Sequence, residues 1–257
     1  MKVATWNINS LRVRLPHVLK WLEREQPDVL ALQETKIQNE EFPADAFGQY
    51  GYVTAFNGQS AYNGVAIVSR VPLGDLSYDI GGGWADEQKR VLGATVGGLR
   101  LWSLYVPNGQ SVDSDKYRYK LEWLAALRMR LADELARHAT LLVVGDFNVA
   151  PDDRDVHNPD AWRGKIMCSP AERAALGSLC ELGLRDTFRL FEQPEKIFSW
   201  WDYRAGAFRR NQGLRIDLVL ASDALSQACR GCRIDKEPRG WDRPSDHVPV
   251  IAEFAVT

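Results

Sequence analysis

Residues 141–148 read Leu-Leu-Val-Val-Gly-Asp-Phe-Asn. Four consecutive apolar residues, two of them β-branched, are too short a run for a helix and suit a buried strand. The run stops at Gly145 and delivers an acid, Asp146, and an amide, Asn148, where the strand ends. The N-terminus does the same: Val3–Trp6 reads as a short buried strand and runs into Asn7-Ile8-Asn9. A strand is expected at Val29–Gln33, directly before Glu34. Apolar runs of four to seven residues follow at Val65–Val68, Val91–Val96, Leu101–Tyr105, Ile216–Leu220 and Val248–Phe254. So many short strands predict more than one sheet, and the like endings at Trp6-Asn7 and Asp146-Phe147-Asn148 suggest two halves related by pseudo-symmetry.

Between the strands, Leu15, Val18, Leu19 and Leu22 recur at helical spacing until Pro27 stops the pattern. Tyr117, Leu121, Leu124, Leu127, Leu131 and Leu135 mark one long amphipathic helix. Ser169-Pro170-Ala171-Glu172 resembles a capping box with proline at the first helical position, opening a helix expected to end near Gly183. Irregular stretches, among them Gly81–Asp86 and Pro151–Lys165, are rich in Gly, Pro, Asn or charge, and none reads as an interdomain linker.

With 257 residues, 45% hydrophobic and 26% charged, the composition is that of an ordinary globular protein, and one domain over 1–257 is expected. A chain this long removes about 70–75% of its extended surface from water, so its core needs neither disulfide nor structural metal. Lys and Arg total 32 against 34 Asp and Glu, a net charge of -2, which removes the simple charge argument for a nucleic-acid coat protein. A polyanionic partner would need a local basic face. The cysteines, Cys168, Cys180, Cys229 and Cys232, lack zinc spacing and read as reduced structural thiols. No long signal core and no run of about eighteen apolar residues is present, so a cytoplasmic protein that does not engage membranes is expected.

Several strands deliver one acidic, amide or phenolic residue at their carboxyl end or one position past it. In order these are Asn7, Glu34, Tyr105, Asp146 with Asn148, Asp217, and Asp246 with His247. Taken singly, such a carboxylate is ordinarily a turn former or a cap. Recurring in one chain, carboxylates set in apolar runs are costly to bury unless they pair, accept hydrogen bonds or hold a cation, so converging acids predict a bound positive charge. Oxygen donors with at most one histidine suit Mg²⁺ or Mn²⁺ rather than zinc. The mixture fits phosphodiester hydrolysis, in which a metal neutralises phosphate, a carboxylate activates water, and an imidazolium or phenol stabilises departing charge.

The chain resembles, end to end, the exodeoxyribonuclease III-type family of abasic-site endonucleases within the endonuclease/exonuclease/phosphatase superfamily. The resemblance is carried by TWNIN (Thr5–Asn9), PDVLALQETK (Pro27–Lys36), YVPNG (Tyr105–Gly109), GDFN (Gly145–Asn148), DTFR (Asp186–Arg189), FSWWDYR (Phe198–Arg204), NQGLRIDLVLAS (Asn211–Ser222) and SDHVPV (Ser245–Val250). GDFN and SDH belong to the whole superfamily; LQETK with the FSWW and NxGxRID segments marks the nuclease branch. The implied fold is of the α/β (α+β) class, a four-layer α/β/β/α sandwich of two packed mixed β-sheets flanked by helices, with the active site at one end of the sheets.

By that resemblance Glu34 is the principal metal ligand, with Asn7 beside it, Asp246 in or near the metal shell, and Asp146, Asn148 and His247 counted with them as metal-site residues. Asp146, helped by Asn148, would orient or deprotonate the attacking water. His247, held by Asp217, would contact the scissile phosphate, with Tyr105 near the phosphate or leaving oxygen. Trp200, with Leu214 and Ile216, would wall an apolar pocket for a baseless deoxyribose.

From Asp202 to Arg215, four arginines (Arg204, Arg209, Arg210, Arg215) stand against one aspartate, a local excess of +3 beside Trp200 and Trp201. Asn158 and Lys165, and Lys116 and Lys120 on the turn entering the long helix, are further candidate contacts to a DNA backbone. Leu190 follows DTFR where family members often carry a basic residue. The expected activity is metal-dependent cleavage 5′ to abasic sites, with 3′→5′ exonuclease and 3′-end trimming. The partner is duplex DNA with abasic sites or 3′ ends, met by a monomer. The alternatives are another superfamily phosphodiesterase, acting on RNA, phosphoinositide or sphingomyelin, and a catalytically weak DNA-binding protein.

Overall fold

Alternation along the strands explains the layers. In the computed structural model, which describes residues 1–84 and 86–255, β1 (Lys2–Asn7) sends Val3 to one side and Ala4 and Trp6 to the other, and both sides are buried. The same holds for β2 (Val29–Gln33) and for β8 (Leu141–Asp146), where Leu142 and Val144 face one core and Leu141 and Val143 another. Strands buried on two faces need a layer on each. Ala85, within the loop expected at Gly81–Asp86, lies outside the described residues, as do Val256 and Thr257.

The remaining strands are β3 (Val53–Asn57), β4 (Val65–Ser69), β5 (Leu73–Ser77), β6 (Val91–Val96), β7 (Leu99–Tyr105), β9 (Leu184–Asp186), β10 (Asp217–Ser222), β11 (Cys229–Ile234) and β12 (Val250–Phe254). They form two six-stranded sheets, ordered β11-β12-β1-β2-β4-β3 and β5-β6-β7-β8-β10-β9. Each is mixed, with one parallel pair, β1 with β2 and β7 with β8. A central core joins the sheets face to face, Val29, Ala31 and Ile67 of the first meeting the layer of Leu92, Leu101, Leu142 and Val219 of the second. Outside, the helix Leu11–Glu25 covers the first sheet with Val18, Trp21 and Leu22, and the helix Asp115–Arg137 covers the second with Trp123, Leu124, Leu127 and Leu131. This is the expected four-layer sandwich.

The helix Pro170–Cys180 opens on the expected capping box, Ser169 with Glu172, and stops short of Gly183. The two sheets share one topology: β1, β2 and β4 occupy the places that β7, β8 and β10 occupy in the other. The pseudo-symmetry therefore equates β1 with β7, and not with β8 as the like endings at Asn7 and Asp146 suggested. All four cysteines are free. No helix among the described residues is long and apolar enough to cross a membrane.

Candidate active site

Two strands run the other way from expectation. Asp217 opens β10 and Asp246 and His247 precede β12, so these residues lie at the amino ends of their strands. They still reach the site because β10 is antiparallel to β8, with Asp217 opposite Asp146, and β12 is antiparallel to β1. The carboxyl ends of β1, β2, β7 and β8 thus meet the amino ends of β10 and β12 at one edge of the sandwich. Close backbone approach fixes β8 there: at Gly145, with φ +146°, an added Cβ would stand 1.9 Å from the Leu104 carbonyl oxygen.

Asn7 joins the sheets. Its Nδ2 donates to Glu34 Oε1 at 2.8 Å and to Asp146 Oδ2 at 2.9 Å. Asp146 also accepts from the Asn148 main-chain N–H at 2.9 Å, and Asn148 Nδ2 donates to Val106 O at 3.0 Å. Burial pushes the Asp146 carboxyl up to about 7; His247 opposes this and Asp217 adds to it. Burial likewise holds the Tyr105 phenol well above its usual range, with Glu34 and Asp146 adding to the effect, so it stays protonated.

His247 stands between two acids. Its Nδ1 lies 2.9 Å from Asp217 Oδ2 and its Nε2 3.7 Å from Asp146 Oδ2. Burial alone would lower the imidazole, but Asp217 first and Asp146 second raise it to about 10. Asp217 is held in turn by the Ser199 hydroxyl, which donates to Oδ2 at 2.7 Å. The arrangement favours an imidazolium with Nδ1 held by Asp217 and Nε2 turned toward Asp146.

Glu34, Asp146 and His247 each offer a ligand atom, all within 4.8 Å of one another. An imidazolium has no lone pair to give, so the two carboxylates, bridged by Asn7, are the donors that fit a hard divalent cation. Asp246 is not brought into this group: its oxygens accept from Asn9 Nδ2 at 2.9 Å and Trp200 Nε1 at 3.0 Å. Burial would raise that carboxyl, yet His247, Asn9 and Trp200 together bring it below the usual range. Lys36, in the quoted LQETK segment but given no role by the sequence, pairs with Glu34 Oε2 at 2.9 Å and donates to Asn9 Oδ1 at 2.6 Å. Ser199, Asn9 and Asn108 were also given no role, since neutral side chains in loops carry no pattern until their partners are known.

The flank toward Trp200 differs from expectation in two respects. Arg215 is buried and paired with Asp155 and Asp186, and Arg204 is paired with Asp202, so among the described residues the surface cations of this stretch with no acidic partner are Arg209 and Arg210, the latter donating to the Ala205 carbonyl. Leu214 and Ile216 are 0% and 1% exposed, with Trp200, Trp162 and Ile166 packed against them, so only Trp200 of the expected pocket wall reaches the surface. Asn158 caps a short helix and Lys165 is exposed in the same loop region. Lys120 is no surface contact: it is buried against Glu172. Tyr117 packs, its hydroxyl 2.6 Å from Ser169 Oγ.

The model of the Endonuclease/Exonuclease/phosphatase family matches residues 4–247. The chain is 36% identical to an exodeoxyribonuclease III of Haemophilus influenzae, over 99% of this chain and 100% of that one. Its fold superimposes on the 3′ phosphatase NExo from Neisseria, bound to a product DNA hairpin, with TM-score 0.98 and 44% identity over the whole of both chains. An AP endonuclease from Archaeoglobus fulgidus matches with TM-score 0.93 and 39% identity, again over both whole chains.

Proposed function

The chain belongs to the Endonuclease/Exonuclease/phosphatase family, and from that premise we propose that it is a divalent-metal-dependent DNA repair nuclease. It hydrolyses the phosphodiester 5′ to abasic sites and trims 3′ ends of duplex DNA by 3′→5′ exonuclease action. The single observation that carries the reading is the buried row Asp146, His247, Asp217 set against the Asn7-bridged pair of Glu34 and Asp146.

Glu34 and Asp146 would hold Mg²⁺ or Mn²⁺, with Asn7 orienting both and Asp246 bordering the shell. A bound divalent cation neutralises phosphate charge and favours the hydroxide form of water. Asp146, held by Asn7 and the Asn148 main-chain N–H, is placed to accept a proton from the attacking water. Asn148 fixes its orientation. The His247 imidazolium, held by Asp217, donates to a phosphoryl oxygen where charge develops. The protonated Tyr105 phenol donates to the leaving oxygen or the phosphate. Trp200, Arg209 and Arg210 meet the DNA on one flank, with Asn158 and Lys165 along the backbone. The working state is a cytoplasmic monomer with one domain over 1–257.

Within this reading, the burial of Leu214 and Ile216 favours 3′-end work over abasic-site cleavage, because a baseless sugar would have to open the apolar cluster under Trp200. The test is cleavage of a labelled duplex carrying one abasic-site analogue, with Mg²⁺ and with EDTA, resolving the product ends. A metal-dependent 3′-hydroxyl at the lesion supports the endonuclease; shortening from the 3′ end alone supports the 3′-end activity. Metal-independent cutting by β-elimination, or no cutting at all, overturns the proposal.

A further inference from the structure

Two buried ion pairs tie the long helix Asp115–Arg137 to the rest of the molecule. Near its end, Glu134 meets Arg100 at 2.6 Å, where β7 begins. About 21 Å away along the helix axis, near its start, Lys120 meets Glu172. The two pairs differ in what else they hold. Lys120 Nζ donates to the main-chain carbonyl of Asn148 at 2.7 Å and to that of Asn108 at 3.1 Å. Both carbonyls belong to loops that leave the catalytic ends of β7 and β8, and the same two residues are bonded through their side chains, Asn108 Nδ2 to Asn148 Oδ1 at 3.0 Å.

Asn148 has φ +50°, a left-handed conformation that a non-glycine residue keeps only when its surroundings impose it. Held this way, it turns its main-chain N–H to Asp146 Oδ1 and its Nδ2 toward Asp146 Oδ2 at 3.3 Å. Glu172 anchors the cation from the other side while it accepts from the main-chain N–H groups of Met167 and Ser169. Lys120 and Glu172 are both 0% exposed, so neither reaches substrate.

We propose that Lys120 is a positioning residue for phosphodiester hydrolysis, which gathers the Asn108 and Asn148 carbonyls under one ammonium and thereby sets the orientation of Asp146. The proposal rests on the nuclease reading above. It requires an ammonium with two free donors at this spot, whereas stability alone requires only that the buried charges cancel.

The experiment compares three variants under saturating Mg²⁺ on duplex DNA, each assayed below its own melting temperature. Lys120→Met/Glu172→Gln removes the pair without leaving a charge behind; Arg100→Met/Glu134→Gln removes the pair at the far end of the helix and leaves the more exposed Arg130 and Arg137 without that acid; Glu172→Gln alone leaves Lys120 in place. The Lys120 double variant should lose about tenfold or more in kcat with KM for DNA changed by less than about threefold, the signature of misplaced reacting groups. The Arg100 double variant should stay within about threefold of the parent's kcat, and Glu172→Gln, which removes one of the three partners of Lys120 Nζ, should lose less than the Lys120 double variant. Parent-like kcat in the Lys120 variant, or equal losses in all three, overturns the proposal. A parent that cuts no DNA overturns the nuclease reading instead, so the two failures are told apart.

Discussion

Asp217 lies directly opposite Asp146 in the register of β10 with β8, and His247 stands between the two carboxylates. One acid binds the imidazole at Nδ1 and the other faces Nε2, the geometry from which the proposed roles of the two, holding and accepting a proton, are argued. The raised imidazole value follows from this geometry.

Asp217→Asn should lower the His247 titration, read by NMR in EDTA, from about 10 toward 6.5. The sign for stability follows by linkage: a raised histidine contributes stability that is complete below 6.5 and is lost as pH rises through about 10. The melting-temperature gap between parent and variant should therefore narrow as the pH is raised from 7 to above 10. Cleavage should fall by about 10²–10⁴-fold. An unchanged imidazole titration would remove Asp217 as its cause.

Asp146→Asn should cost a similar factor in rate and yet stabilise the metal-free protein. The carboxyl rises from 3.8 to about 7, so the stability of its protonated form is present below 3.8 and lost as pH rises through about 7. In EDTA at pH 8 the variant should melt above the parent, and near pH 4 the two should converge. Added Mg²⁺ should reverse the order at pH 8, since the cation stabilises only a protein that binds it. A variant that melts below the parent in EDTA at pH 8 contradicts the buried-carboxylate account.

Replacing Arg209 and Arg210 together by Ala should weaken binding to duplex DNA at all sequences and reduce the slope of log affinity against log salt by about 1–2. Arg204→Ala should leave the slope nearly unchanged, because Asp202 already neutralises that side chain. Anisotropy titrations across salt concentrations decide between them; equal slopes in all variants would place the DNA elsewhere.

Arg215→Met should destabilise the fold by about 3–5 kcal/mol by leaving the buried Asp155 with Arg189 as its one remaining cation and the partly buried Asp186 without its partner. For a domain of this size that lowers the melting temperature by roughly 10 °C. Thermal unfolding checks it, and a loss below about 1 kcal/mol would mean that water reaches the pair.

The eight strands legible in the sequence are the eight interior ones; the four that escaped, β3, β5, β9 and β11, are the sheet edges. An edge strand such as Leu73–Ser77 is mostly exposed and needs no apolar run, so its sequence carries no strand signal. Strand direction was illegible too: Asp217 looks the same at either end of an apolar run, and only pairing with β8 settles which end it occupies. The acids and the histidine of the site could be read because charge inside apolar runs is rare. Lys120 and Arg215 were misread as surface cations because the acids that bury them, Glu172, Asp155 and Asp186, lie 29 to 60 positions away in the chain.

The second sheet is one continuous stretch of chain, from Leu73 to Ser222, set between the β4 and β11 strands of the first. On the ribosome, all six of its strands emerge while β1 still has an open edge waiting for β12. Asp146, Asp217 and Tyr105 are then already in hand, but His247 has not been made. On the proposed reading, synthesis order thus leaves completion of the site for last, and a nascent or prematurely stopped chain carries Trp200, Arg209 and Arg210 but not yet the histidine.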